Sequence, residues 1–71
     1  MDKIVDHKIN DDPEHPSAEL GETVYRIRWE NYGPEGDSFE PIRNLPRNKV
    51  VSYHKSKKLA LPSNIGDAII G

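Results

Sequence analysis

Trp29 and Tyr32 stand three residues apart in "RIRWENYGPEGDSF", residues 26–39, a stretch that also holds the only Phe of the chain. Paired rings beside a turn have one chemistry to offer. Their faces attract cations, at ~0.5–2 kcal/mol per contact depending on desolvation. The plainer use of such rings is packing, since aromatics at strand ends commonly belong to the core. The other reactive side chains offer less. His7, His15 and His54 are too widely spaced for a metal set and read as structural or solvated. Ser52 lies near His54, but no nucleophile turn or oxyanion arrangement accompanies it, so no catalytic residue is assigned and the chain is not read as an enzyme. With no Cys there is neither a disulfide nor a Cys-based zinc site, and a reducing compartment suits the chain better than secretion. No cofactor is expected.

The elements that must hold these residues belong to one small domain. A 71-residue chain buries only about 60% of its unfolded surface, so its core is marginal. No apolar stretch approaches the roughly 18 residues that span a membrane, and the N-terminus, with Asp2, Lys3 and Asp6, does not resemble a signal peptide. The overall charge of −2 is unevenly divided. Residues 1–42 carry 4 basic and 11 acidic side chains, whereas residues 43–71 carry 6 and 1.

"KIVDHKI" (3–9) is rich in β-branched residues and reads as a strand. Residues 10–22, with two Pro, one Gly and five acids, read as a long solvated loop, functional or mobile. "TVYRIRW" (23–29) alternates: Tyr25, Ile27 and Trp29 face one way and Val24, Arg26 and Arg28 the other. Residues 30–37 are turn chemistry, and "SFEPI" (38–42) is a short strand limited by Pro41. Pro46 then suits a helix start, Val50, Val51, Tyr53 and His54 make one modest apolar face, and Lys55, Lys57 and Lys58 favour the end of the helix dipole. Short turns favour antiparallel neighbours. The expected architecture is α+β, a three-stranded antiparallel sheet packed against one C-terminal helix. The expected core is Ile4 or Val5, Tyr25, Ile27, Phe39, Leu45, Val50 and Val51, with Tyr53 open to either use. Residues 60–71 read as a flexible tail, with Ile69 and Ile70 open to docking on a partner.

"RWENYGPEGDSFEPIRNL" resembles the chromodomain signature: basic–Trp–x–x–aromatic, a short acidic turn, Ser–aromatic–Glu–Pro, then Asn–Leu and a helix. The likeness extends over residues 3–59 and is nearest to the heterochromatin-protein type. It implies a chromodomain fold, a relative of the SH3-like barrel. It also implies a nuclear, monomeric binding module for a histone tail, commonly one carrying methyl-lysine, which is gripped by an aromatic cage and by strand addition. Carried over by position, Trp29 and Tyr32 match two of three cage aromatics. Asn44 matches a position that holds the peptide backbone, Phe39 a packing aromatic, and Glu40–Pro41 the close of the last strand.

The chain departs from the pattern in several places. The third cage aromatic and the N-terminal clasp would lie before Lys3, about four residues upstream for the ring, and are missing here. A protein that lacked that ring altogether would bind roughly 5- to 30-fold more weakly than one with three. The acid of the turn falls on Gly36, leaving Glu35 and Asp37 as substitutes. Pro46 replaces an acid, His54 replaces an aromatic, and the 10–22 loop is long. These departures suit an alternative: a chromodomain of a retrotransposon integrase with an incomplete cage, acting through protein or nucleic-acid contacts. Arg47, Lys49, Lys55, Lys57 and Lys58 read first as a solvated helix surface, and alternatively as a weak, salt-sensitive nucleic-acid contact.

Overall fold

In the computed structural model, which describes residues 3–70, the elements are β1 (Lys3–Ile9), β2 (Thr23–Arg28), β3 (Ser38–Pro41) and α1 (Arg47–Ser56). The sheet has the order β1-β2-β3 and is antiparallel throughout. This is the expected α+β architecture. Tyr25 and Ile27 lie on one face of β2 and are buried in a single cluster with Ile42, Leu45, Val50, Tyr53 and Ala68. Ile4 and Ile65 pack at its margin.

Three expectations about the core need correction. Val24, on the other face of β2, is also fully buried, because that face is covered rather than solvated. Phe39 pairs opposite Arg26 and so shares that second face; it is half-buried and lies outside the main cluster, with Lys8 Nζ 4.3 Å from its ring centre. Val51 is only half-buried. The choice between Ile4 and Val5 is decided by an irregularity in β1. Ile4 pairs with Ile27 and Asp6 with Arg26, so one residue is inserted and the alternation of β1 shifts. The shift places both Ile4 and His7 opposite core residues of β2.

His7 then joins Tyr25, Tyr53 and His54 in a group of four rings with centroids 5.6–6.4 Å apart. Buried rings with polar atoms need partners. His54 Nδ1 lies 2.9 Å from the Ala60 carbonyl, which only accepts, so this nitrogen carries the proton. In the neutral ring Nε2 is then the acceptor, and the Tyr25 hydroxyl donates to it over 2.8 Å. A carbocyclic ring at position 54 would leave that hydroxyl without its acceptor. Tyr53 OH pairs with His7 Nδ1 at 2.7 Å. Burial, and then the Tyr53 hydroxyl, push the Tyr25 phenol above its ordinary pKa, so it stays a neutral donor.

The 10–22 loop is tied down. Asn10 is buried, and its amide donates to the carbonyls of Asp12 and Glu19. His15 Nε2 donates to the Phe39 carbonyl at 2.7 Å, while Nδ1 accepts from the amides of Ser17 and Ala18. Arg43 pairs with Glu22 at 2.6 Å and bonds the Ser17 carbonyl. These contacts lay the loop along β3.

Helix α1 ends in a Schellman arrangement. The amide of Leu59 bonds the His54 carbonyl and that of Lys58 the Lys55 carbonyl, with Lys58 in the left-handed region at φ 58. A side chain with a Cβ is disfavoured there. Lys58→Gly is therefore expected to stabilise the domain by about 0.5–1 kcal/mol, after the greater unfolded-state freedom of Gly is deducted. A rise in the urea midpoint at unchanged slope would show it, and an unchanged midpoint would refute it.

Residues 60–71, expected as a flexible tail, lie against the domain over much of their described length. A 3-10 turn (Ile65–Asp67) leads to Ala68, which is buried, and Ile69 pairs in parallel with Pro46. Pro46, the helix N-cap, has no capping side chain. The Ile69 carbonyl instead accepts from the Arg47 amide, one of the orphan donors of the first turn.

Candidate functional site

Trp29 directly follows β2 and continues the face of Tyr25 and Ile27. The chain then reverses through Asn31 at φ 67, a conformation Asn tolerates, with the Tyr32 amide bonded to the Trp29 carbonyl. A 3-10 turn (Pro34–Gly36) returns it to β3. The indole Nε1 of Trp29 donates to Ser38 Oγ at 2.9 Å, which fixes the ring's orientation. The indole borders a cleft of about 350 Å³ lined also by Glu40, Asn44, Leu45, Pro46 and Ile69.

The expected site residues separate in the structure. Trp29 and Asn44 share the cleft. Tyr32 stands outside its lining with 68% of its surface exposed, against 36% for Trp29, so one ring is a wall and the other projects into solvent. Gly36 lies beneath Tyr32. A Cβ there would come within 2.8 Å of the Tyr32 Cβ, so no side chain, acidic or otherwise, fits without moving that residue. Glu35 is exposed in the 3-10 turn and does not line the cleft. The third ring and the clasp expected before Lys3 lie outside the described residues.

Asp37 is occupied elsewhere. Its side chain is only 3% exposed, and it pairs with Arg26 Nε at 2.6 Å and Arg28 Nε at 2.7 Å. Both arginines project from the sheet face opposite Trp29. The hydrogen bond from Arg28 holds the Asp37 carboxyl below the usual carboxylate range; burial opposes this and Arg26 adds to it. A depressed folded pKa contributes stability that is complete above the unfolded value of about 3.9 and is lost as pH falls through the folded one. Acid titration of the urea midpoint is thus expected to show a loss below about pH 4 that Asp37→Asn lacks. Parallel curves for the two chains would contradict the assignment.

Glu40 is the cleft residue that the motif comparison placed only in strand closure. Its register opposite Tyr25 puts it on the Trp29 face, and Asn44 Nδ2 lies 3.3 Å from its Oε1. The signal was present in the alternation of residues 38–41. The cleft therefore combines an oriented ring, a carboxylate, an amide and apolar walls. That set suits a cation with alkyl bulk, drawn to the ring face and to the negative charge. Among the described residues, no group of three or more His, Asp or Glu is placed to hold a metal ion.

The basic residues also divide. Arg47 is half-buried and donates from Nη2 to the Gly66 carbonyl, while Lys49 borders a second surface cleft with Lys3, Ile4, Ser52, Tyr53 and Ser56. Lys55, Lys57 and Lys58 are exposed around the end of α1.

The sequence model of the Chromo (chromatin organisation modifier) domain matches residues 1–56. The chain belongs to the chromodomain family, a class of chromatin-associated binding modules. It is 42% identical over 53 residues to DNA (cytosine-5)-methyltransferase 3 and to DNA (cytosine-5)-methyltransferase 2 of Zea mays. Those matches cover 66% of this chain but only 6% of each relative, a chromodomain-sized part of much longer proteins. No solved structure was found to match the chain.

Proposed function

We propose that this domain directs its parent protein to chromatin in the nucleus by binding, as a monomer, a histone tail that carries a methylated lysine. The observation that carries the reading is the indole of Trp29, pinned by Ser38 beside the Glu40 carboxylate in one cleft. A methylated ammonium keeps its charge and loses hydrogen-bond donors, so a ring face and a nearby carboxylate serve it better than a ring of acceptors. Tyr32 supplies a second ring that closes on the ligand, and Asn44 holds the peptide backbone. Glu35, in the turn beside Tyr32, adds negative potential at longer range, whereas Asp37 acts indirectly by fastening the turn to β2. The test is a titration of the chain with a histone-tail peptide, trimethylated or unmodified at lysine, followed by Trp29 fluorescence. Tighter binding of the trimethylated form supports the reading; equal affinities, or none at millimolar peptide, contradict it.

Exposed Lys55, Lys57 and Lys58 favour a second reading, a weak nucleic-acid contact of the kind an integrase chromodomain with an incomplete cage would use. It predicts binding that weakens steeply with salt, by a slope of about 2–3 in log–log form for these three charges. Salt-independent or absent binding of duplex DNA would dismiss it.

A further inference from the structure

The edge of the cleft is already occupied by the chain's own residues. The backbone groups that face this edge are the Leu45 carbonyl and the Arg47 amide on either side of Pro46, whose own carbonyl serves the first turn of α1. Ile69 takes both. Its amide donates to Leu45 O at 2.8 Å, and its carbonyl accepts from Arg47 N at 2.6 Å. The Ile69 side chain lines the cleft with Trp29, Glu40 and Asn44. Yet the segment is lightly held at its end: Ile69 is 52% and Ile70 82% exposed. Arg47, which bonds Gly66 beneath it, leaves its own Nε buried without a partner.

We propose that residues 68–70 act as an intrachain stand-in for the ligand strand. They occupy the strand-accepting edge at Leu45–Arg47 and must leave it before an extended peptide can pair there. This rests on the reading of the cleft as a methyl-lysine peptide site. An extended peptide entering beside Trp29 competes for the same carbonyl and the same amide. Its apparent affinity is reduced by the fraction of chains in which the edge is closed. The closed state also serves the helix, since the Arg47 amide keeps an acceptor when no peptide is present.

Ile69→Pro in the full chain tests this. Ala68 has φ −68 and ψ 152, values suited to a residue before proline, so the substitution removes the donor to Leu45 O while leaving Ala68 in place. Binding of the trimethyl-lysine peptide is expected to tighten about tenfold, the effect of releasing about 1.4 kcal/mol. Equal affinity of the two chains overturns the competition and leaves the site reading intact. Binding by neither overturns the site reading and the competition with it. A second measurement needs no variant. In the wild-type chain the Ile69 amide is expected to be protected from hydrogen exchange and to lose about tenfold of that protection when the peptide saturates. An Ile69 amide that exchanges as in a free peptide beforehand, or that stays protected afterwards, also overturns the proposal.

Discussion

Trp29→Ala is expected to weaken binding of a trimethyl-lysine tail by about 10- to 30-fold while leaving the domain folded. Trp29 retains more than a third of its surface in solvent and is absent from the buried cluster, so its truncation opens no internal cavity. What it removes is a ring face at ~1–2 kcal/mol for a partly desolvated cation, together with the apolar wall beside Leu45 and Pro46. Ser38 keeps a solvent-accessible hydroxyl and loses only one neutral hydrogen bond. The measurement is the Kd of the variant together with its urea midpoint. A midpoint that holds while Kd rises is the expected pair. Unchanged affinity would remove Trp29 from the site.

Ile27→Ala is the opposite experiment. Ile27 is fully buried on the central strand, opposite Ile4 of β1, in one cluster with Ile42, Leu45 and Val50. Large-to-small changes at such positions cost about 2–5 kcal/mol, and a chain of this size holds only a few kcal/mol in reserve. The variant is expected to be largely unfolded at 25 °C, with loss of the ring-derived near-ultraviolet dichroism. A cooperative transition within about 1 kcal/mol of the wild type would show that the four-ring group and the seated 65–69 segment, rather than Ile27, hold the sheet to the helix.

The architecture was legible because its signals are local. The alternation of Tyr25, Ile27 and Trp29 defines β2, the Gly- and Pro-bearing turn after it enforces an antiparallel return, and Pro46 marks the helix start. What was not legible depends on long-range complementarity. The 63–70 segment is short, and its apolar residues (Ile65, Ala68, Ile69 and Ile70) show neither a helical nor a strand period. It docks because Leu45 and Arg47 present one carbonyl and one amide on a short edge, and that edge exists only after the fold has formed. The buried face of Val24 was missed for a similar reason. Arg26 and Arg28 make that face look solvated, but both pair with the near-buried Asp37 and the 10–22 loop is drawn over β3 by His15 and Arg43. The family motif singled out Trp29 and Asn44, which line one cleft. The motif alone passed over Glu40, whose role depends on register, and credited Asp37, whose charge is already paired.

The central claim is that Trp29 and Glu40 recognise a positive charge carried on alkyl bulk. The most direct test compares two peptides in an NMR titration, one with trimethyl-lysine and one with its uncharged carbon isostere of the same shape. The account predicts that the indole signal of Trp29 and the side-chain signals of Glu40 and Asn44 shift with the charged peptide, and that the isostere binds at least tenfold more weakly. Equal binding of the two would mean that the cleft recognises shape alone, and the cation-recognition account would be wrong.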